Sequence, residues 1–342
     1  MKVVLNPQFG SHDVQTEIHQ GKMVPSFENP SRLKHILDHF QAHPGHDLID
    51  SNDYGIDPIL KVHARGYVTF LQSIWADWCA EGRVGDIVPY IWPVPGLKRM
   101  DHENLNAKVG TFAFSSDTAI MAGTWEAAYQ GAQSALTAFE MVRAGERAAF
   151  ALTRPPGHHA HSASYGGYCF LNNAAIVAET AREQGYDKVC ILDVDYHHGN
   201  GTQDIFYDRA DVLTLSIHGH PDTNFPYFLG YEDECGEADG HGFNQNFPLK
   251  DGASFEDWCG AFNQAQVRID HFQPDLLVVP LGVDTYEGDP ISNFKLKSED
   301  FLKMGQLLKS LNLPCMFVME GGYDVAPLGQ NVYNVIEGFD RS

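Results

Sequence analysis

The chain has 342 residues, of which 43% are hydrophobic and 20% charged, and its formal net charge at pH 7 is −22. This length suffices for one large α/β domain, and no stretch approaches the roughly 18 consecutive apolar residues of a membrane span. The negative charge argues against a nucleic-acid partner, because phosphates would be repelled, and it favours cationic ligands, small amines and lysine-rich protein tails alike.

Cysteine usage and the N-terminus indicate the compartment. The six cysteines show no CxxC pair and no tight framework spacing. The first six residues read as a short strand rather than the apolar core of a signal peptide. Free thiols are typical of a reducing compartment, so the sequence predicts a cytoplasmic protein.

The first third of the chain alternates predicted helices with irregular segments. Residues 7–30 are polar and rich in turn formers, which predicts a surface loop. Ser31 is predicted to cap a helix whose apolar side includes Leu33, Ile36, Leu37 and Phe40. A second helix is marked by apolar residues between Val68 and Trp75 and is predicted to end near Cys79.

Residues 85–116 lack clear periodicity and are interpreted as a loop insertion. Their charges are mixed and include Lys98, Arg99 and Asp101. An irregular segment of about 30 residues is unusual inside a compact domain, and such segments are often functional or disordered. An ordinary surface excursion is an equally good interpretation.

The remaining two thirds of the chain alternate between strands and helices. A long alanine-rich helix is predicted between Thr124 and Gly145. The predicted strands cover residues 147–153, 189–192, 211–217, 275–282 and 313–319. The helices between and after them cover residues 174–183, a short segment around 205, 255–272, 301–311 with Ser298 as its cap, and the C-terminus. This alternation predicts one α/β domain over residues 1–342, with a mostly parallel central sheet between two helical layers.

Chemically reactive side chains follow four of these strands. Residues i and i+2 of a strand share a face, so Asp193, Asp195 and His197 are predicted to point the same way. Three other strands lead to groups of the same kind, namely the His158-His159 pair, Asp284 and Tyr323. In parallel sheets ligands bind beyond the carboxyl ends of the strands, so these groups are predicted to converge. The competing interpretation is that they are polar residues that close strands or lie on the surface.

Two carboxylates and an imidazole form a ligand set for a divalent transition metal. Asp195, His197 and Asp284 would provide three protein ligands and leave a fourth position open, which is typical of catalytic zinc. A zinc hydrolase also needs a base, an acid and a donor to the oxyanion, and the chain offers two histidines and a tyrosine for these roles.

Five sequence segments, in this order and spacing, resemble the histone deacetylase family, which has the arginase-deacetylase fold. They read RPPGHH, GGYCFLNN, ILDVDYHHGNGTQDIFY, LGVDTYEGDP and EGGY. The chain length, the insertion at 85–116 and the segment FPYFLGY at 225–231 are similar to the acetylpolyamine amidohydrolase branch of that family.

The resemblance implies a role for each of the reactive residues. Asp195, His197 and Asp284 would bind zinc, and iron or cobalt are also compatible with this ligand set. His159 would be the general base, His158 the second, electrostatic or acid, histidine, and Tyr323 the hydrogen-bond donor to the oxyanion. Asp193 would accept a hydrogen bond from His158, and Asn200 one from His159. A second catalytic metal would lack its ligands, because Gly199 and Tyr286 stand at the corresponding positions.

The resemblance also implies a potassium ion, a substrate channel and a dimer. The potassium ligands would come from Asp193, His197 and Ser216 together with main-chain carbonyls. The insertion would form a homodimer and narrow the channel, and Asn106 appears where an acidic residue is expected. Substrate-binding residues would be Tyr168, Phe225, Asp117, Gly167 and Ile291.

The sequence therefore predicts a zinc-dependent amidohydrolase that needs neither membrane nor nucleic acid. Its expected substrates are small cationic acetylated amines, namely N-acetylputrescine, N-acetylcadaverine, acetylspermidine and acetylspermine, with acetate and the free amine as products. The alternatives are an acetyl-lysine protein deacetylase and a non-catalytic protein that binds acetylated ligands. No ligand or tyrosine is missing, which argues against the last alternative.

Overall fold

A parallel sheet of eight strands organises the protein. The computed structural model describes residues 1–94 and 102–341. The strands in chain order are β1 (Lys2–Leu5), β2 (Thr16–His19), β3 (Lys22–Pro25), β4 (Asp47–Asp50), β5 (Ala148–Leu152), β6 (Val189–Asp193), β7 (Val212–Gly219), β8 (Asn244–Leu249), β9 (Leu276–Leu281) and β10 (Cys315–Met319). The large sheet has the order β4-β1-β5-β10-β9-β6-β7-β8, and every neighbouring pair in it is parallel.

Helices cover both faces of the sheet. They are α1 (Ser31–Ala42), α2 (Asp57–Val62), α3 (Arg65–Ala80), α4 (Leu105–Phe112), α5 (Thr124–Arg143), α6 (Asn173–Glu183), α7 (Asn200–Phe206), α8 (Phe255–Phe272), α9 (Ser298–Ser310) and α10 (Val325–Arg341). Helices α1, α8, α9 and α10 pack with one set of strand side chains, and α2, α3, α5 and α6 pack with the other. The predicted α/β fold with three layers is confirmed. Across the described ranges, no helix is both long and apolar enough to traverse a lipid bilayer.

The four reactive strand ends are neighbours in the sheet. Strands β5, β10, β9 and β6 lie side by side in that order, and every residue in them is buried. Strands covered on both faces read as continuous apolar runs, which is why the sequence revealed them. Polar residues that follow such runs therefore meet at one edge of the sheet.

Two segments that were predicted to be irregular contain regular structure. Residues 7–30 were interpreted as surface loop, but they hold the antiparallel hairpin of β2 and β3. The insertion at 85–116 contains helix α4, whose N-cap Asn104 accepts hydrogen bonds from the backbone amides of residues 106 and 107. The predicted charges Lys98, Arg99 and Asp101 lie outside the described residues.

Both predicted serine caps were wrong by one position. Ser31 is the first residue of α1, and its amide and hydroxyl donate to Asn29 Oδ1 instead. Ser298 is likewise the first residue of α9, where Asp300 accepts a hydrogen bond from the backbone of Lys297. The sequence also missed three short elements, because β4 lies at a sheet edge, α2 spans only six residues and β8 contains three polar residues and a proline.

Candidate active site

Asp195, His197 and Asp284 come together at the carboxyl ends of β6 and β9. Each offers a ligand atom, and these atoms lie within 4.8 Å of one another. His197 Nδ1 lies 2.9 Å from Asp284 Oδ2 and 3.4 Å from Asp195 Oδ1. All three side chains are buried, so the trio forms a compact set of oxygen and nitrogen donors.

Backbone amides hold the two carboxylates in place. Asp195 Oδ2 accepts from the amide of Gly321 at 2.7 Å, and Asp284 Oδ1 accepts from the amide of Tyr196 at 2.8 Å. A side chain at position 321 would not fit, because a Cβ atom there would lie 2.5 Å from Asp284 Oδ2 and 2.6 Å from Asp195 Oδ2. The loop after β10 therefore passes directly over the two carboxylates.

The trio attracts positive charge strongly. Burial by itself lowers the pKa of His197, but hydrogen bonds and charge from Asp195 and Asp284 outweigh it and raise this pKa to about 10. Burial and the neighbouring Asp195 charge raise the pKa of Asp284 to about 7. Among the described residues no Arg or Lys forms an ion pair with Asp195 or Asp284. Buried carboxylates need a compensating cation, and the donor set fits a divalent transition metal.

The two adjacent histidines have different hydrogen-bond partners, a carboxylate for His158 and an amide oxygen for His159. His158 Nδ1 lies 2.9 Å from Asp193 Oδ2, and His159 Nδ1 lies 2.7 Å from Asn200 Oδ1. The imidazole rings are 4.0 Å apart between centroids. Both predicted pairs are thus in hydrogen-bonding contact.

The pKa values of the two histidines are shifted in opposite directions. Burial lowers the pKa of His158, but the Asp193 and Asp195 charges outweigh it and raise this pKa to about 10. Burial holds the pKa of His159 well below its ordinary value, and positive charge on His158 and His197 lowers it further. These shifts favour the charged form of His158 and the neutral form of His159 at neutral pH.

Tyr323 lies in the loop after β10 and lines the same cavity as His159 and His197. Its amide donates to Asp289 Oδ2 at 2.7 Å, and its ring lies under the Arg32 guanidinium at 4.7 Å. Arg32 in turn donates to the carbonyls of Gly322 and Glu320 at 2.7 and 2.6 Å. Burial keeps the pKa of the Tyr323 hydroxyl well above its ordinary value, so the hydroxyl remains a proton donor.

A cavity of about 390 Å³ leads to these groups. His159, His197 and Tyr323 line it together with all five predicted substrate-binding residues. Those five are Asp117, Gly167, Tyr168, Phe225 and Ile291. Phe225 packs against the His159 ring at 5.0 Å, and a Cβ atom on Gly167 would lie 2.5 Å from that ring. The wall beside His159 therefore leaves no room for a side chain at position 167.

Glu17 also lines the cavity, although it was not among the residues predicted to have a role there. It comes from the hairpin that was interpreted as surface loop. Its Oε1 accepts a hydrogen bond from the Tyr168 hydroxyl at 2.6 Å, and burial raises its pKa. The Gly21 turn between two short segments, at residues 16–19 and 22–25, was the one weak signal that could have found this hairpin.

Glu320 is a second residue that sequence reasoning missed. Its Oε2 accepts from the amides of Gly157 and His158 at 2.6 and 3.1 Å, so it links the loop after β10 to the histidine loop. It is buried, and burial raises its pKa to about 8. The EGGY segment drew attention to its tyrosine, while its glutamate looked like an ordinary polar residue.

Two of the three predicted potassium ligands, Asp193 at the end of β6 and Ser216 within β7, lie next to one another. Asp193 and Ser216 are partners in the strand register, and both border a void of about 10 Å³. That volume matches roughly one water-sized sphere. The side chain of His197 lines the larger cavity instead.

The chain is similar in sequence and fold to known proteins along most of its length. The Histone deacetylase domain family matches residues 26–339. Acetylpolyamine amidohydrolase 1 of Pseudomonas aeruginosa is 50% identical over 331 residues, which cover 96% of each chain. Acetylpolyamine amidohydrolase of Mycoplana ramosa is 42% identical and covers 99% of each chain. A crystal structure of acetylpolyamine aminohydrolase from Burkholderia pseudomallei superimposes with a TM-score of 0.94 at 36% identity, covering 100% of this chain and 99% of the other.

The match spans almost the whole chain and includes the strand ends that carry the reactive side chains. A fold alone does not define an activity, but here both the overall sequence identity and the family match support the same assignment. The chain therefore belongs to the histone deacetylase family of enzymes, within the branch of the acetylpolyamine amidohydrolases.

Proposed function

We propose that this protein removes acetyl groups from small acetylated polyamines with a zinc ion held by Asp195, His197 and Asp284. The observation that carries the proposal is one cavity lined by His159, His197 and Tyr323. Asp195 and Asp284 lie beside His197 at its inner end, and the carboxylates of Glu17 and Asp117 line its wall. The chemistry at the inner end supports amide hydrolysis, and the carboxylates support a cationic substrate.

The donor set accounts for the cofactor. Two carboxylates and one imidazole leave room for a further ligand, and iron or cobalt would also be accepted by the same atoms. When bound, such an ion lowers the pKa of a coordinated water and polarises an amide carbonyl.

The protein side chains supply the proton transfers. His159 is neutral and faces the cavity, so its Nε2 accepts the proton of the attacking water. The Tyr323 hydroxyl donates a hydrogen bond to the acetyl oxygen as negative charge develops there. A histidine then protonates the nitrogen of the departing amine. His158 remains positively charged beside Asp193 and stabilises the negative charge through space.

The cavity wall supports selection of a cationic amine. Glu17 and Asp117 both line it, Glu17 from the hairpin and Asp117 from the segment before α5. Asp117 Oδ1 accepts from the hydroxyls of Ser115 and Thr118 and from the amide of Gly167, which fixes the carboxylate at the wall. Opposite charge attracts an ammonium group most strongly in a partly desolvated cavity. N-acetylputrescine and its longer relatives N-acetylcadaverine, acetylspermidine and acetylspermine carry such groups.

The proposal includes three accompanying features. A potassium ion would occupy the void beside Asp193 and Ser216. A homodimer would form through the insertion at 85–116, where Val84, Tyr90 and Val94 are exposed apolar residues in or beside it. The protein would function in the cytoplasm, since its six cysteines are free.

The proposal is tested by comparing substrates and metals with purified protein. Chelation should abolish turnover of N-acetylputrescine, and added zinc should restore it. The value of kcat/KM should be higher for N-acetylputrescine than for an acetyl-lysine peptide. A clear preference for the peptide would favour a protein deacetylase. No turnover of either amide by zinc-loaded protein would contradict a deacetylase altogether.

A further inference from the structure

Asn200, the partner of the base His159, is itself held by two further residues. Asn200 Nδ2 lies 2.8 Å from His161 Nε2, and His161 Nδ1 lies 3.1 Å from Asp204 Oδ2. Asn200 and Asp204 are four residues apart in α7 and so lie on the same side of that helix. Together the four side chains form an unbroken line of contacts from the buried base to the exposed Asp204.

Each contact in this line determines the next. A carboxylate can only accept, so Asp204 requires the proton of neutral His161 to reside on Nδ1. His161 Nε2 is then an acceptor and must face the NH₂ group of Asn200. The amide oxygen of Asn200 consequently points to His159 Nδ1. An oxygen at this place requires the proton of His159 on Nδ1, which leaves Nε2 unprotonated.

This line of contacts matters because the asparagine side chain has an acceptor oxygen on one side of its amide and a donor NH₂ group on the other. If the Asn200 amide rotated by half a turn, its NH₂ group would face His159 Nδ1, and the proton of a neutral His159 would move to Nε2. A histidine with that tautomer cannot accept a proton at Nε2. An aspartate at position 200 would need no such control, because both of its oxygens accept.

We propose that His161 and Asp204 are positioning residues that fix the orientation of the Asn200 amide and thereby the catalytic tautomer of His159. This inference rests on the proposed function only in assigning His159 as the base. Neither residue touches the substrate cavity, since His161 lies behind Asn200 and packs against Phe114 at 5.5 Å. Their effect reaches the reaction through Asn200 alone.

The kinetic test is a double-mutant cycle between positions 161 and 200, with N-acetylputrescine as the probe substrate. His161→Phe keeps a ring against Phe114 and removes the acceptor, so kcat is expected to fall about tenfold with KM unchanged. In the Asn200→Asp background the same His161→Phe change is expected to alter kcat less than about twofold. His271→Phe, at the exposed end of α8, serves as the matched control and should alter kcat in neither background.

The second test measures the tautomer directly and needs no activity. Protein with ¹⁵N-labelled histidine rings is examined by long-range ¹H–¹⁵N correlation NMR at pH 8, with His159 signals assigned by their loss in His159→Gln. Wild-type protein should show the His159 proton on Nδ1, and His161→Phe should show a mixture of both tautomers.

Three outcomes would overturn the proposal: equal loss of kcat in both backgrounds, no loss in the Asn200 background, or an unchanged His159 tautomer in His161→Phe. If wild-type protein hydrolyses no acetylated amine, the proposed function fails, while the NMR result still decides whether the tautomer is controlled as described.

Discussion

The inner end and the mouth of the cavity are built in different ways. At the inner end, every reactive side chain follows one of four adjacent buried strands, and backbone amides fix its carboxylates. At the mouth, the lining side chains come from the β2–β3 hairpin, the segment before α5 and the loop that contains Phe225. The inner end is therefore formed by the ends of sheet strands, whereas the mouth is formed by a hairpin and loops outside the sheet.

The two regions also differ in how far their side chains are exposed to solvent. The trio of Asp195, His197 and Asp284, the histidine pair and Tyr323 are all buried, whereas Ile18 and Tyr227 at the mouth are 40% and 50% exposed. A rigid inner end suits chemistry, because reacting groups must be held within fractions of an ångström. Loops on a rigid scaffold can vary without disturbing it, so they suit substrate selection. We therefore expect substitutions at the inner end to lower kcat and substitutions at the mouth to raise KM.

Replacing Tyr323 by Phe should have the largest effect on kcat. The change removes one donor to the developing oxyanion and leaves the ring beneath Arg32. A loss of about 10²- to 10³-fold in kcat is expected, with little change in KM. Tyr168→Phe is the matched control, since its ring lies 5.6 Å from that of Tyr323, and it should lower kcat far less. Comparable losses in the two variants would contradict the assigned role.

Replacing Glu320 by Ala should have the next largest effect. The change leaves the amides of Gly157 and His158 without their acceptor, which costs about 1–3 kcal/mol of stability and loosens the histidine loop. We expect kcat to fall about tenfold with KM unchanged. Glu320→Gln keeps an acceptor oxygen, so it should retain most of the activity and of the melting temperature. A Gln variant as impaired as the Ala variant would argue against this hydrogen-bonding role.

Replacing Glu17 by Gln tests the mouth. The change removes one negative charge from the wall while keeping the size of the side chain and one of its two acceptor oxygens. The KM for N-acetylputrescine should rise about tenfold, on the order of 1 kcal/mol, with kcat little changed. N-butylacetamide lacks the ammonium group and is the control substrate, whose kinetics should stay the same. An equal rise in KM for both substrates would show that Glu17 shapes the cavity rather than binding the cation.

Lowering the pH below 6.5 should destabilise the scaffold under the histidine loop. His63 contacts the carbonyl of His161 through Nδ1 and accepts from the Asn172 amide through Nε2. Burial lowers its pKa to about 4, below the ordinary value of about 6.5 expected when unfolded. The unfolded chain therefore binds the proton first, and stability falls as pH drops from 6.5 toward 4.

The expected loss from this one residue is about 2 kcal/mol at pH 5 relative to pH 8. Chemical denaturation at the two pH values measures it. His63→Gln should show a smaller difference between them, whereas His271→Gln, on the surface, should match wild type. An unchanged pH slope in His63→Gln would mean that His63 is not the residue responsible.

The inner end could be predicted largely from the sequence, whereas the mouth could not. Strands β5, β6, β9 and β10 are continuous apolar runs, so the polar residues after them stood out and their convergence followed from the parallel fold. Glu17 sits in a short, polar hairpin with no such contrast. Its importance arises because the hairpin folds against Tyr168, which is 151 residues away in the chain.

The same division holds at the level of single contacts. The sequence by itself determined the order of strands and helices, the apolar core and the residue types available for catalysis, because these depend on local patterns of polarity. Only the tertiary structure decided that Glu320 holds the histidine loop and that His161 and Asp204 orient Asn200. These contacts join side chains whose positions are set by packing between distant segments, and no local pattern encodes such packing.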